Sequence, residues 1–228
     1  MLDAVLLEWE GVLADSGAAR RESLRHALAA EGVAAHVLDD DACAGLDVGT
    51  AARAVVARVG RGDDLTLADL IALRAGRAFA ERIAQGFMMR AGAAAFVGAV
   101  EAGSRVALVT RATRAETEIF LRLSGLDTAF AHVVTADDVL RLPPSPELFD
   151  HAYANLARRR PTRRERTVAL VDAAPSIRAA RSAGIRILAV GAPAHVALDA
   201  DGSVDGLDGL TLAQVGALTG VTATGRPA

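Results

Sequence analysis

Short apolar runs that give way to helical patterns restrict this chain to few architectures. The first run, Ala4-Val5-Leu6-Leu7, is too short for an amphipathic helix and lacks strict alternation, so it reads as a strand buried on both faces. Val106 to Thr110, His132 to Val134, Val168 to Val171 and Ile187 to Val190 read as further strands. Helical signals separate them. Thr113-Arg114-Ala115-Glu116 is a capping-box pattern that opens a helix carrying Ile119, Phe120 and Leu123. Ser145 and Pro146 open a second through Leu148, Ala152 and Leu156, and Pro175 opens a third that Gly184 closes. Strands alternating with helices imply an α/β fold, a Rossmann-like doubly wound parallel sheet with helices on both faces.

One segment breaks the alternation. From Ser16 to about Met89 no convincing strand is found, and helical patterns dominate. Arg20 to Glu31 sets Leu24, Ala27 and Leu28 on one face before Gly32. Gly49 to Val59 repeats the pattern, as does Leu65 to Gln85, with Leu67, Leu70, Ile71, Arg74 and Ala78 on one side. The expected organisation is therefore an α/β core from residues 1–16 and 90–228, with an inserted α-helical cap subdomain at 17–89.

Composition removes several classes of function. At 228 residues and 52% hydrophobic, the chain buries a sizeable core. A net charge of -3 argues against a general nucleic-acid binder. There is no apolar stretch of about 18 residues and no basic region followed by an apolar one at the N-terminus, so a soluble, cytoplasmic protein with no membrane partner is expected. Cys43 is the single cysteine, which rules out an internal disulfide or a cysteine-rich metal site. His26, His36, His132, His151 and His195 show no ligand spacing. The arginines from Arg158 to Arg166, including Arg159, read as a solvated connecting loop, and Thr222 to Ala228 as a loose tail. All 25 basic residues are arginine, so the chain has no lysine.

Chemistry is expected where the first strand ends. In open α/β sheets ligands bind at the carboxyl ends of the strands, and Glu8 and Glu10 stand there with Gly11 to permit a sharp turn. Two residues apart on an extended chain, both carboxylates leave on the same side, which makes a candidate metal or acid/base site. Trp9, between them, is expected to pack against the sheet or the cap base.

Five segments in order resemble the haloacid dehalogenase superfamily, in its phosphoglycolate phosphatase and β-phosphoglucomutase-like branch. They are EGVLADS (Glu10 to Ser16), VALVTRATRAE (Val106 to Glu116), VVTADDV (Val133 to Val139), PPSPELF (Pro143 to Phe149) and VDAAPSIRAARSAGI (Val171 to Ile185). The resemblance implies a magnesium-dependent hydrolase of small phosphorylated metabolites. An aspartate at the position of Glu8 would attack phosphorus, and one at the position of Glu10 would act as general acid and base. Thr110 matches a hydroxyl that binds a phosphoryl oxygen, and Asp172 an acid that helps hold the metal. Ser176 stands where some relatives carry a second acid. The implied magnesium site is Glu8, the backbone carbonyl of Glu10, and Asp172, weakened and completed by water.

The same resemblance marks three departures. Both aspartates are glutamates here, and the family's lysine position is Pro143. Arg111 or Arg141 is expected to supply the phosphate-binding charge instead, although a planar guanidinium differs in shape from an ammonium. Two functions follow: a phosphatase-derived protein with impaired aspartyl-phosphate chemistry that binds a ligand or partner, or an active hydrolase with Glu8 as nucleophile and Glu10 as acid/base.

Overall fold

The computed structural model describes residues 2–34, 46–103, 105–158 and 160–221. His36, Cys43, Arg159 and the tail from Thr222 lie outside the described residues. The chain divides into two compact units, Met1–Asp15 with Met88–Ala228, and Ser16–Phe87.

The first unit is built on a six-stranded sheet in the order β5-β4-β1-β6-β7-β8. Its strands are β1 (Ala4–Glu8), β4 (Arg105–Val109), β5 (His132–Val134), β6 (Thr167–Val171), β7 (Arg186–Val190) and β8 (Gly202–Val204). Every neighbouring pair runs parallel. All five residues of β1 are buried, because it lies between β4 and β6 with both faces covered. Its register pairs Leu7 with Leu108 and with Leu170. One face of the sheet, with Leu6, Ala107, Val109 and Val171, meets Leu148, Phe149, Ala152 and Ile177. The last four come from α6 (Glu147–Ala157) and α7 (Ala174–Ser182). The alternate residues Val5, Leu7, Leu108 and Leu170 are equally buried. On β4 packs α4 (Ala93–Gly103), which buries Phe96, Val97 and Val100. This is the doubly wound arrangement that the alternation of strands and helices implies.

The expected capping box is present. At the start of α5 (Arg114–Ser124) the Thr113 side chain bonds the Glu116 backbone while the Glu116 side chain returns to the Thr113 backbone, and Gly125 ends the helix at φ 68°. Several elements were not foreseen, α4 among them. The strand β8 has the sequence GSV, with no apolar run to announce an edge strand, and α9 (Leu212–Leu218) is a short helix capped by Thr211 and Gln214. Before both in sequence order, α8 (Ala194–Ala197) is a single turn.

The second unit contains α1 (Gly17–Ala30), α2 (Val48–Arg58) and α3 (Leu65–Ala84). Asp47 and Asp64 cap the latter two through the backbone N–H groups of Thr50 and Leu67, each at 2.9 Å. Leu24, Leu28, Ala52, Val55, Val56, Leu67 and Ile71 form its core. Leu70 and Arg74, expected on the buried face of α3, are instead exposed, Leu70 by 36%. The buried stripe runs through Ala68, Ile71, Ala75 and Phe79, and Arg74 pairs with Glu31. The helix is apolar enough around its circumference that periodicity alone left a one-residue ambiguity in which side faces inward. Among the described residues no helix is long and apolar enough to cross a membrane.

A two-residue antiparallel ribbon, β2 (Ala14–Asp15) with β3 (Met88–Met89), ties the chain leaving the first unit to the chain returning to it. The registers are Ala14 with Met89 and Asp15 with Met88. Its strands are too short to register as a period-2 pattern, so they were not foreseen either.

Candidate active site

Three strand ends meet at one edge of the sheet. Glu8 ends β1, Thr110 follows β4 and Asp172 follows β6, and β1 is the neighbour of both. After Glu8 the chain turns tightly: Leu13 and Ala14 both donate to the Trp9 carbonyl at 3.1 Å, and Gly11 donates to the Ala14 carbonyl at 2.9 Å. The turn needs φ +73° at Gly11, a conformation that costs a side-chain-bearing residue energy. Space makes the same demand, since a Cβ on Gly11 would stand 1.6 Å from Asp172 Oδ2. Trp9 is fully buried and stacks on Phe120 of α5 with ring centroids 4.8 Å apart, so the residue between the acids anchors the turn to the core.

The two glutamates are engaged differently. Glu8 is 1% exposed, and its Oε1 accepts a hydrogen bond from Ser176 Oγ at 2.5 Å. Arg111 Nε lies 3.6 Å from the same oxygen, with the arginine side chain 9% exposed. Glu10 turns its carboxylate to Thr110, whose hydroxyl lies 3.0 and 2.9 Å from the two oxygens. That hydroxyl also accepts from the Ala112 N–H at 3.0 Å.

Charge is crowded here. Burial pushes the Glu8 carboxyl up to about 8, and the nearby Asp172 and Glu10 add to the rise, while the Arg111 cation and the Ser176 hydroxyl oppose it. Burial likewise raises Asp172 to about 6, with Glu10 adding to the rise and Arg111 and Arg90 opposing it. Glu8 Oε2 and Asp172 Oδ1 are buried oxygens with no hydrogen-bond partner among the described residues. Two covered carboxylate oxygens without donors are the kind of ligand a hard divalent cation takes. Among the described residues no three His, Cys, Asp or Glu side chains form a group able to hold an ion by themselves. The donor set therefore fits magnesium in kind, through two carboxylates that a backbone carbonyl and water would have to complete.

Of the two arginines expected to supply positive charge, the structure brings only Arg111 to the acids. Arg141 is 77% exposed and its Nε bonds Glu147 Oε1 at 2.5 Å, while Leu140 and Arg141 donate their backbone N–H groups to Glu147 Oε2. A carboxylate six residues on, Glu147, holds the Arg141 side chain. Pro143 is buried. Arg90 went unrecognised in the sequence. It directly follows β3, lies against Gly191, and acts on Asp172; nothing in its local sequence marks it. Ser176 was noted only by position, and its role as donor to Glu8 emerges from the placement of α7. The arginines after α6 have structural partners: Arg163 and Arg166 pair with Asp3, and Arg164 with Asp150 and the Tyr153 ring.

The haloacid dehalogenase-like hydrolase family model matches residues 9–190. In fold, the chain is similar to β-phosphoglucomutase from Clostridium difficile, with a TM-score of 0.81 at 15% identity over 96% of this chain and 98% of that one. It is also similar to CbbY from Rhodobacter sphaeroides, solved in complex with phosphate, with a TM-score of 0.73 at 25% identity over 91% and 95%. A haloacid dehalogenase hydrolase from Entamoeba histolytica gives a TM-score of 0.79 at 14% identity over 96% and 100%. No curated protein matches the chain. The chain belongs to the haloacid dehalogenase-like hydrolase family, and its helical unit is the family's cap subdomain. Within the family it lies close to the branch of β-phosphoglucomutase and CbbY.

Proposed function

We propose that this protein descends from a magnesium-dependent phosphatase of small phosphate esters, that its aspartyl-phosphate chemistry is impaired, and that it acts chiefly by binding a phosphorylated ligand. The observation that carries this reading is the mutual satisfaction of Thr110 and Glu10. A hydroxyl that would bind a phosphoryl oxygen is spent on a carboxylate, and a carboxylate that would carry a proton is held by that hydroxyl. The longer glutamate side chain makes the contact possible.

Geometry at Glu8 supports the same reading. The carboxylate is buried and hydrogen-bonded by Ser176, one methylene further from the backbone than an aspartate would be. A misplacement of about 1 Å costs roughly a hundredfold in rate where near-attack geometry matters. No lysine exists to neutralise a phosphoryl group, so Arg111 is the cation left beside the nucleophile's position. Glu8, Asp172 and the backbone carbonyl of Glu10 would hold magnesium, which when bound supplies charge neutralisation to a phosphoryl oxygen. Within the chain itself, Arg111 orients and balances Glu8, Ser176 fixes the rotamer of Glu8, and Trp9 holds the turn that carries Glu10.

A second reading is an active hydrolase with Glu8 as nucleophile and Glu10 as acid/base. Glu8 Oε2, which no hydrogen bond restrains among the described residues, favours it. A screen of small phosphate esters with magnesium, run on the natural protein and on Glu8→Ala, separates the two. The first reading expects turnover near background in both and measurable binding of a phosphate ester. Robust turnover that Glu8→Ala abolishes selects the second.

A further inference from the structure

Beside one of the two carboxylates that would hold magnesium stands a resident cation. Arg111 follows Thr110 directly, and its position after β4 carries its guanidinium to within 3.6 Å of the buried Glu8. It is the largest opposing charge felt by Glu8 and also by Asp172. We propose that Arg111 stands in the electrostatic place of the divalent cation, so that the natural protein binds magnesium weakly and is held in a metal-independent state by its own side chain.

The argument is one of occupancy and charge. A guanidinium is permanently charged, presents several N–H donors in a plane, and is the residue suited to a buried pairing with carboxylates. A dehydrated divalent ion reaching Glu8 Oε2 and Asp172 Oδ1 must bring its positive charge close to that guanidinium. At about 4 Å and an effective dielectric constant of about 20, two unit charges repel enough to change an equilibrium by roughly a thousandfold, and more for a doubly charged ion. Arg111 also cannot shed its charge to make room. It therefore competes with the cation twice, by already balancing the charge of Glu8 and by repulsion. The remaining site keeps its positive charge for an anionic ligand.

This inference rests on reading Glu8 and Asp172 as the metal-bearing carboxylates, and a binding measurement without substrate tests it apart from any result on hydrolysis. Magnesium and manganese are titrated calorimetrically, and melting is followed with and without magnesium, for the natural protein, Arg111→Gln and Arg111→Met. The natural protein is expected to show no binding in the low millimolar range and no rise in Tm. Either neutral variant is expected to bind at least about tenfold more tightly, since the like charge is gone. Variants that fold only when magnesium is supplied meet the same expectation, because the ion takes over the balancing of the buried acids. Tight binding by the natural protein overturns the proposal. So do variants that bind no better than it, or that stay unfolded with and without the metal.

Discussion

The Thr110 hydroxyl sits between the two carboxylate oxygens of Glu10, 3.0 Å from one and 2.9 Å from the other, across a separation of 100 residues in sequence. A glutamate side chain spans the gap between the turn after β1 and the end of β4, and the contact ties the two strand ends together where a reaction would need both groups free.

Shortening the acids should release them. Glu8→Asp with Glu10→Asp withdraws each carboxylate by one methylene, and Pro143→Lys adds the absent ammonium. Recovered positioning and proton transfer are worth roughly 10² to 10⁴-fold each. One well-placed donor to a developing oxyanion adds about 10² to 10³-fold. With magnesium in large excess, to overcome the repulsion from Arg111, the triple variant is expected to hydrolyse a generic phosphate ester faster than the natural protein, and the double variant to gain less. Steady-state rates of the three forms check it; a natural protein faster than both would mean its glutamates are a tuned catalytic pair.

Stability should decline toward alkaline pH in metal-free buffer. The Glu8 carboxyl is raised from 4.5 to about 8 in the fold, so over that interval the native state binds more protons than the unfolded state. Asp172, raised from 3.8 to about 6, acts in the same direction over its own interval. Stability therefore falls as pH rises from about 4 and levels off once Glu8 ionises near 8. Glu8→Gln should flatten the upper part of the curve and raise Tm at pH 8. A Tm that climbs between these limits in the natural protein would contradict the assignment.

Gly11 should not accept a side chain. Its φ of +73° costs an L-residue about 1–2 kcal/mol. A methyl group 1.6 Å from Asp172 Oδ2 must also displace that carboxylate. Gly11→Ala is expected to lower stability by about 2 kcal/mol or more, beyond the ordinary range of surface substitutions. Urea denaturation measures it, and a loss under about 0.5 kcal/mol would show that Asp172 has room to move.

Ser176→Ala removes the hydroxyl that donates to Glu8 at 2.5 Å. Leaving a buried acceptor without its donor costs about 1–3 kcal/mol, more when the group is charged. The loss should be larger above pH 8, where Glu8 is ionised, than at about pH 5, where it carries a proton. Equal losses at both pH values would mean that the serine only fills space.

Strands were legible where burial left no choice. The runs at β1, β4, β6 and β7 are apolar because both faces are covered, and each was placed to within a residue or so. By contrast, β8 needs no such run, being an edge strand of three residues, and β2 and β3 are too short for any periodicity. The acids at the strand ends could be read from their positions. Their partners could not, because partnership depends on which rotamer a long side chain takes. Arg111 and Arg141 were equivalent in sequence; one meets Glu8 in the interior and the other is drawn to Glu147 at the surface. Arg90 illustrates the harder case, a cation brought to Asp172 by a chain that has first passed through a whole helical unit.

The ribbon of Ala14–Asp15 and Met88–Met89 makes the helical insertion thermodynamically quiet for the sheet. It holds the two ends of that segment one strand spacing apart, about 5 Å, whatever lies between them. The entropy of closing a loop grows only with the logarithm of its length, by about 0.6 kcal/mol for each doubling. A sheet bounded in this way is nearly indifferent to the size of its insertion. Residues 16–87 can be lengthened or shortened at little entropic cost while the strands that carry Glu8, Thr110 and Asp172 keep their register.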